Sequence, residues 1–358
     1  MATQIARAES GRGAPGAARR TVLLTGASGV VGSALLRRLR DFDVVCLVHR
    51  SPVCEQSVTT VPGDIAEPMF GLAGRAYTEL AARVDAIIHC AAVTGFGRTD
   101  GRLRATNITG TEHVAAFAAA ANATLYHVST AFADTTVDGD RGRTAIGYAA
   151  SKLAGEEVVR SSGVPHAIFR PSIVIGDSVT GETAAFQGLH QVAAGMFAGI
   201  VPLIPFDPGW PVDFIPADIV ADAIACAAEN RVDRGEFWIS AGDKALRLDE
   251  SVAIALELAH GLGVSIDMPR FVPPEMFDRL IGPVFLDALP GRIRRNVVRM
   301  LEFFTTYLQS GEIKPSSLDQ LAALGARPLP DQRESLRNSL AYWAERGGYG
   351  RPETVKAA

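Results

Sequence analysis

The first half of the chain alternates short apolar runs with segments whose apolar residues recur at helical spacing. The runs at 21–24, 43–48 and 86–90 are rich in apolar and β-branched residues, which is typical of strands. Leu35 and Leu39 follow the first run at the spacing of one helix face. This strand–helix order repeats through about residue 176, and it predicts an α/β fold with a doubly wound parallel sheet.

Beyond residue 176 the pattern is less regular and predicts a smaller, mostly helical C-terminal lobe. Residues 184–205 are almost entirely apolar, which fits either a buried helix and strand of that lobe or the wall of an apolar tunnel. Residues 236–240 have the pattern of a late strand, and residues 249–262 have that of a helix. The apolar residues within 270–310 suggest a helical lid.

Composition excludes several classes of protein. With 358 residues, 47% of them hydrophobic, the chain can bury one large core and a smaller one. The net charge of −4 argues against a nucleic-acid partner, and no run of about 18 apolar residues predicts a membrane span. Four cysteines without C-x-x-C spacing indicate reduced thiols, no metal site and a cytoplasmic setting. Residues 1–20 lack the apolar core of a secretory signal, so we expect a disordered tail there.

A glycine-rich turn at 25–32 lies between the first strand and the first helix. That context distinguishes a dinucleotide site from a chance set of glycines. Gly26 permits the tight turn, Gly29 lets the backbone approach a pyrophosphate, and Gly32 lets the helix pack closely on the strand. The sequence therefore predicts a Rossmann-type dinucleotide site.

The second strand, 43–48, ends in His49 and Arg50 rather than in an acidic residue. In folds of this kind an acid here binds the ribose 2′-hydroxyl of NAD, whereas an arginine accommodates the 2′-phosphate of NADP. A guanidinium matches phosphate geometry and keeps its charge. We therefore expect Arg50 to favour NADP(H) over NAD(H).

Three further strand ends offer polar or small residues to the same edge of the sheet. Asp64 either binds the adenine amino group or caps a turn. The small residues of 91–93 allow a cofactor to approach closely, while His89 before them fits a packed strand residue better than a base. Ser129 and Thr130 each offer a hydroxyl that either binds a substrate oxygen or caps the strand end.

Tyr148 and Lys152 are four residues apart, which is one helical turn, so their side chains share a helix face. An ammonium beside a phenol lowers the pKa of the phenol from its ordinary value of about 10. Such a tyrosine gives a proton to a carbonyl oxygen as a hydride arrives. This spacing also occurs on ordinary surface helices, but the glycine turn upstream makes the catalytic interpretation the stronger one.

Taken in order, these segments resemble an extended short-chain dehydrogenase/reductase over roughly residues 20–245. Within that superfamily the chain is similar to the thioester-reductase and fatty acyl-CoA reductase branch, which has a male-sterility-type NAD-binding domain. The motifs that carry the two resemblances are T-G-A-S-G-V-V-G at 25–32, H-R at 49–50, G-D-I at 63–65, H-C-A-A-V at 89–93, A-T-N-I-T-G-T at 105–111, H-V-S-T-A-F at 127–132, Y-A-A-S-K at 148–152, R-P-S-I-V-I-G at 170–176, T-G-E at 180–182 and P-V-D-F-I-P-A-D-I-V at 211–220.

The resemblance implies a catalytic set of a hydroxyl, a tyrosine and a lysine. Thr130 takes the place of the hydroxyl, Tyr148 that of the acid and Lys152 that of the ribose-binding partner. Asn107 takes the place of the asparagine that orders the active site and its water. The expected cofactor-binding residues are Gly26, Ser28, Gly29, Val30, Gly32, Arg50, Asp64, Ile65, Ala91, Ala92, Val93, Tyr148, Lys152, Pro171, Ile173 and Val174.

After the tail at 1–20 we therefore expect two domains, each made of two segments of the chain. An NADP-binding Rossmann domain spans 21–182 and is rejoined by 211–245, and a substrate-binding lobe comprises 183–210 and 246–358. The implied reaction is NADPH-dependent reduction of an acyl thioester to an aldehyde, with a second step to the alcohol left open. Coenzyme A or an acyl carrier protein is the expected carrier of the acyl group. The sequence neither requires nor excludes a homo-oligomer.

Other interpretations stay open at this point. The same triad serves ketone or hydroxysteroid reductases and nucleotide-sugar reductases, epimerases and dehydratases. A regulatory protein that senses NADP(H) is a different class, but it needs neither Tyr148 nor Lys152. A basic cluster is either a solvated helix face or a docking site for carrier phosphates, and it consists of Arg292, Arg294, Arg295 and Arg299.

Overall fold

The structure is a computed structural model that describes residues 19–349 apart from 54, 56, 95–100, 134–142 and most of 278–310. The strands are β1 (Arg20–Thr25), β2 (Phe42–Val48), β3 (Thr59–Pro62), β4 (Ala86–His89), β5 (Thr124–Val128), β6 (His166–Pro171), β7 (Ile173–Ile175), β8 (Leu203–Ile204), β9 (Pro211–Val212), β10 (Phe214–Pro216), β11 (Arg234–Ile239), β12 (Leu246–Arg247) and β13 (Arg270–Phe271). The α-helices are α1 (Val30–Arg38), α2 (Gly74–Ala81), α3 (Arg102–Arg104), α4 (Gly110–Ala121), α5 (Arg143–Ser161), α6 (Gly188–Phe197), α7 (Ala217–Glu229), α8 (Leu248–Gly261), α9 (Pro274–Met276), α10 (Leu318–Ala322) and α11 (Gln332–Arg346).

Seven of these strands form one parallel sheet in the order β3-β2-β1-β4-β5-β6-β11. This confirms the predicted α/β class and the doubly wound parallel sheet. The strand order reverses between β1 and β4, and the loops that follow such a pair diverge and leave a crevice at their carboxyl ends. Thr25 pairs with His89 in the register, so the glycine turn and the residues after β4 lie side by side in that crevice.

Helices cover both faces of the sheet because successive strand residues point to opposite sides. Val22 and Leu24 of β1 belong to one buried cluster together with α1 and α7, whereas Leu23 belongs to a second cluster with α2, α4 and α5. An ion pair of 2.6 Å between Arg38 of α1 and Asp222 of α7 adds to the first layer. The glycine turn is thereby attached to a helix that is packed along its length.

A further buried cluster is built from α6, α8, α11 and the short strands β7, β8, β9 and β10. It includes β7 and β10, which lie within the residues predicted for the Rossmann domain, and the division into two lobes stays a prediction. The later part of the apolar stretch 184–205 belongs to this cluster, because Val192, Met196 and Phe197 of α6 are buried there. For that part the structure favours the core interpretation, whereas residues 186–191 line a cavity.

Several sequence expectations lie outside the described residues. The tail up to residue 18, most of the predicted helical lid, and Arg292, Arg295 and Arg299 of the basic cluster are among them. Arg294 is described, and its guanidinium lies 3.2 Å from a carboxylate oxygen of Asp287. No helix in the described part of the chain has the length and apolar character needed to cross a membrane.

Candidate active site

A cavity of about 560 Å³ opens at the carboxyl ends of β1, β4, β5 and β6. The glycine turn, the three strand ends beside it, one face of α5 and the first turn of α6 form its walls. The lining residues are Gly26, Gly29, Val30, Val31, Gly32, Cys90, Ala92, Thr94, Val128, Ser129, Thr130, Tyr148, Lys152, Pro171, Ser172, Ile173, Val174, Phe186, Gln187, Gly188, Leu189, His190 and Gln191. Most of the predicted site residues meet here, but Ser28, Arg50, Asp64, Ile65, Ala91, Val93 and Asn107 are not part of the lining.

The glycine turn forms a cradle that has no room for side chains at Gly26 and Gly32. Gly26 has φ +73°, and a Cβ there would lie 2.6 Å from the backbone nitrogen of Ala91. A Cβ on Gly32 would overlap the carbonyl oxygen of Gly26. The Gly29 N–H donates to that same oxygen at 3.0 Å, which closes the turn just before α1 begins. Bare backbone beside a helix N-terminus is what a dinucleotide pyrophosphate requires, so the residues present fit the cofactor.

Helix α5 brings Tyr148 and Lys152 to the same cavity, which agrees with the predicted shared helix face. Lys152 is 3% exposed, and its Nζ donates to the carbonyl oxygen of Val128 at the end of β5, 2.7 Å away. Tyr148 is half-buried one turn earlier. The lysine is thus fixed by the sheet, and both side chains line the cavity.

The pKa of Tyr148 differs from the sequence expectation. Burial raises the pKa of Tyr148 to about 12, so the lowering that we expected from Lys152 does not prevail. Burial also lowers the pKa of Lys152 to about 8, and Cys90 and Glu156 oppose that change. Both shifts have one cause, because taking a group out of water disfavours its charged form. At neutral pH Tyr148 is a neutral phenol that can donate a proton, and Lys152 is predominantly an ammonium.

Two neutral histidines lie beneath Lys152. His89 Nδ1 is 2.7 Å from the Thr25 hydroxyl, and burial followed by the charge of Lys152 lowers the His89 pKa to about 3. The same two causes, burial first, hold the pKa of His127 well below its ordinary range, and the two rings are 5.3 Å apart. His89 is therefore a packed strand residue, as the sequence suggested, and not a base.

Asn107 connects the loop after β4 to α5. It lies in a π-helical turn, Ala105–Thr109, of the kind that is frequent at functional sites. Its Oδ1 accepts from the Val93 N–H at 2.8 Å, and its Nδ2 donates to the Val93 carbonyl at 3.1 Å and to Ser151 Oγ at 2.9 Å. Ser151 Oγ in turn donates to the Tyr148 carbonyl oxygen at 2.7 Å. Asn107 thus orders the backbone that carries Tyr148, although its own side chain lies behind the cavity wall.

Both candidate hydroxyls, Ser129 and Thr130, are buried and line the cavity. Ser129 helps to lower the pKa of Glu156, although its Oγ meets no acceptor at standard hydrogen-bond geometry. We take this as a sign of proximity to the carboxylate rather than of a formed bond. Thr130 Oγ1 accepts from the Phe132 N–H at 3.5 Å, the outer limit for such a contact. The catalytic assignment of Thr130 stays a prediction.

The adenine end of the expected cofactor site lies at the end of β2. His49 and Arg50 are exposed there, and His49 Nε2 is 3.4 Å from a carboxylate oxygen of Asp64. Asp64 Oδ1 accepts from the Ala66 N–H at 2.9 Å, so this carboxylate does cap a turn. Its contact with adenine stays a prediction, as do the cofactor contacts of Arg50, Ser28 and Ile65.

The start of the stretch 184–205, for which the sequence offered a tunnel wall as one of two interpretations, does line the cavity. Phe186, Gln187, His190 and Gln191 lie there, so this wall is more polar than the expected apolar tunnel. The ring of His190 pairs with the Gln187 N–H at 3.3 Å and with Ser339 Oγ at 3.4 Å, and burial lowers its pKa to about 4. In the sequence, the polar residues Gln187, His190 and Gln191 are the signal that this segment is not uniformly apolar. Cys90 and Thr94 also line the cavity and were not predicted.

Comparison with known sequences agrees with this geometry. Residues 51–224 match the male sterility protein family, an NAD-binding domain. The chain is 31% identical to isonitrile lipopeptide synthase of Streptomyces coeruleorubidus over 238 residues, which are 56% of this chain and 16% of that protein. It is 28% identical to glycine betaine reductase ATRR of Emericella nidulans over 271 residues, which are 63% of this chain and 21% of that protein. The chain thus spans about a fifth or less of the length of these relatives.

Solved structures share the fold. The terminal R domain from the myxalamid PKS-NRPS pathway has a TM-score of 0.73 at 24% identity, covering 93% of this chain and 92% of that one. A UDP-glucuronic acid 4-epimerase from Bacillus cereus, in complex with NAD, has a TM-score of 0.63 at 16% identity, covering 91% and 99%. At such low sequence identities these structural similarities establish the fold alone, and the reaction has to be argued from the residues of the site.

Proposed function

Because the chain belongs to the extended short-chain dehydrogenases/reductases, in the thioester-reductase branch of the male sterility type, we propose that it reduces acyl thioesters with NADPH. It is an NAD(P)-dependent oxidoreductase by family. The observation that carries the proposal is the single cavity at which the glycine cradle, Tyr148 and Lys152 meet. The expected product is an aldehyde, and a second reduction would give the alcohol.

The names of the relatives support a carrier-bound thioester as the substrate. Reductase domains of nonribosomal peptide synthetases share the fold, and one solved structure is a thiolation-reductase di-domain from an archaeal nonribosomal peptide synthetase. Its TM-score is 0.67 at 16% identity, with 93% of this chain and 77% of that one covered. We propose that an acyl carrier protein or coenzyme A presents the acyl group at the cavity.

Different parts of the cavity wall suit different parts of the cofactor. Gly26, Gly29 and Gly32 would hold the pyrophosphate, Lys152 the ribose, and the stretch 171–174 the nicotinamide end. When bound, the reduced cofactor supplies the hydride that adds to the thioester carbonyl.

The side chains of the chain provide the proton and the stabilisation of negative charge. Tyr148 holds a proton on its phenol oxygen up to a pH of about 12, so it can donate to the carbonyl oxygen as charge develops there. The Thr130 hydroxyl is proposed as the second donor to that oxygen. Asn107 keeps Tyr148 in place through Ser151, and Lys152 places a positive charge behind it. The resulting hemithioacetal collapses to the aldehyde and the free thiol.

The decisive experiment compares substrate classes under one set of conditions. NADPH consumption is followed with pantetheine-linked acyl thioesters, ketones and sugar nucleotides, and the products are identified by mass. We expect thioesters to yield the aldehyde and free thiol, while the other two classes leave NADPH unconsumed. Turnover of a ketone or a sugar nucleotide without turnover of any thioester would overturn the substrate class and retain only the oxidoreductase family.

Arg50 provides a test of the cofactor preference. We expect Arg50→Ala to weaken NADPH binding roughly 10- to 150-fold, because a charge-assisted contact is worth about 1.5–3 kcal/mol. NADH binding should change little, since NADH has no 2′-phosphate. Dissociation constants for both cofactors, from fluorescence titration, give the ratio. Arg234→Ala is a matched control, since it removes an exposed arginine at the start of β11, on the opposite edge of the sheet. Equal losses for both cofactors would reject this role of Arg50.

A further inference from the structure

A third ionisable residue continues the helix face that carries Tyr148 and Lys152. Glu156 follows Lys152 by four residues on α5 and has no exposed surface. Arg170 of β6 grips its carboxylate with two hydrogen bonds, from Nε at 2.9 Å and from Nη2 at 2.6 Å. Arg160, one turn further along α5, adds a hydrogen bond of 2.7 Å to the same group.

This cluster joins two walls of the active site. Arg170 directly precedes the stretch 171–174, which lines the cavity at the end expected to hold the nicotinamide. The guanidinium of Arg170 also lies 2.9 Å from Glu236 and 5.0 Å from the ring centre of Trp238. The Glu156 carboxylate therefore connects the helix that carries the proton donor to the strand that leads into the opposite wall.

Stability alone does not explain a fully buried carboxylate at this place. Removing two charges from water costs several kcal/mol per ion, and apolar side chains of similar volume often replace such a pair without loss of stability. The hydrogen bonds and charges of Arg170 and Arg160, with Ser129, hold the pKa of Glu156 below its ordinary value in spite of burial. Glu156 is therefore a permanent negative charge at neutral pH.

The other ionisable groups that face Lys152 are uncharged at neutral pH. His89 of β4 and His127 of β5 are kept neutral by burial. Burial raises the pKa of the Cys90 thiol to about 12 and that of Tyr148 to the same value. Cys90 is thus a neutral thiol at the pH where Lys152 titrates, although it counts among the groups that raise the lysine pKa. Among the described groups that act on Lys152, Glu156 supplies the full negative charge.

We propose that Glu156 is a positioning residue of this site, whose buried carboxylate, fixed by Arg170 and Arg160, keeps Lys152 an ammonium and holds α5 against β6. Its consequence for catalysis rests on the proposed function. The effect on the charge of Lys152 belongs to the cofactor-free chain and can be measured without any substrate.

The test is the titration of Lys152 in the cofactor-free protein, followed by NMR of isotope-labelled lysine side chains. The Lys152 signal is assigned by its absence in Lys152→Met. We expect a midpoint near pH 8 in the unmodified chain and a distinctly lower midpoint in Glu156→Gln. Glu236→Gln is the matched control, because it removes an equal charge from the same cluster but does not act on Lys152. An unchanged midpoint in Glu156→Gln, or equal changes in both variants, overturns the proposal.

A second variant covers the case in which Glu156→Gln does not fold. Glu156→Gln combined with Arg170→Met removes the carboxylate together with its bidentate partner, so the net charge of the cluster does not change, and the midpoint of Lys152 should still be lowered. In the thioester assay, loss of activity with rising pH should begin at lower pH in Glu156→Gln than in Glu236→Gln. A chain that reduces no thioester but shows the lowered midpoint would reject the proposed function and leave the assignment of Glu156 intact.

Discussion

Replacing Tyr148 by phenylalanine should lower turnover about 10²–10⁴-fold, the usual range for loss of a general acid. The ring keeps its place beside Lys152, so NADPH binding should be retained. Tyr342→Phe is the control, because this tyrosine lies half-buried on α11, outside the cavity lining, and contacts Arg346. Rates at saturating thioester and dissociation constants for NADPH separate the two effects. Near-normal turnover in Tyr148→Phe would refute the catalytic assignment and favour an NADP(H) sensor.

The pH dependence of this reaction should reflect Lys152 rather than Tyr148. Burial places the pKa of Tyr148 at about 12, so the phenol remains a donor throughout the working range. The pKa of Lys152 is about 8, so on raising the pH the ammonium is lost first. From the sequence we expected the ammonium of Lys152 to lower the pKa of Tyr148. In the structure burial dominates the pKa of both groups, so the lysine is the one that titrates nearer to neutral pH.

Much of the fold follows from the sequence, because local patterns determine it. The strand predicted at 43–48 is found at Phe42–Val48, and the helix predicted at 249–262 is found at Leu248–Gly261. The glycine spacing was informative for a steric reason, since a Cβ at Gly26 or Gly32 has no room. The periodicity of apolar residues and the spacing of glycines involve only residues close together in the sequence, so both can be recognised without the tertiary contacts.

The parts that sequence could not supply depend on burial and on distant contacts. Glu156 has the same spacing from Lys152 whether it faces solvent or lies under two arginines. Its burial depends on Arg170, which is 14 residues away on another element. The apolar stretch 184–205 likewise suited either a tunnel wall or a core. Its later part packs on α8 and α11, and both helices begin more than 40 residues after the stretch ends. Helical spacing shows which residues share a helix face, but not whether that face is buried or exposed to solvent.

Lys152→Met should damage both turnover and cofactor binding. The variant keeps the length of the side chain and removes the charge that supports Tyr148 and the proposed contact with the ribose. Loss of a charge-assisted hydrogen bond costs about 1.5–3 kcal/mol, so we expect NADPH binding to weaken roughly 10- to 150-fold. Unchanged affinity for NADPH in this variant would remove the ribose contact from the proposal.

The same variant should also reveal how Lys152 makes the free energy of unfolding depend on pH. The pKa of Lys152 falls from its ordinary 10.5 to about 8 on folding, so between these values the unfolded chain binds more protons than the folded one. As pH rises through that interval, the contribution of Lys152 to the free energy of unfolding therefore increases by about 3 kcal/mol, at about 1.4 kcal/mol per pH unit.

Methionine does not titrate, so the difference in unfolding free energy between the natural chain and Lys152→Met should rise with pH. The contributions of cysteines and tyrosines are the same in both proteins and cancel in this difference. Urea unfolding of both cofactor-free proteins at a series of pH values measures it. A difference that stays constant from pH 8 to 10.5 would show that Lys152 is not buried as an ammonium, whereas the expected rise would mean that the site accepts a cost in stability to hold a positive charge behind Tyr148.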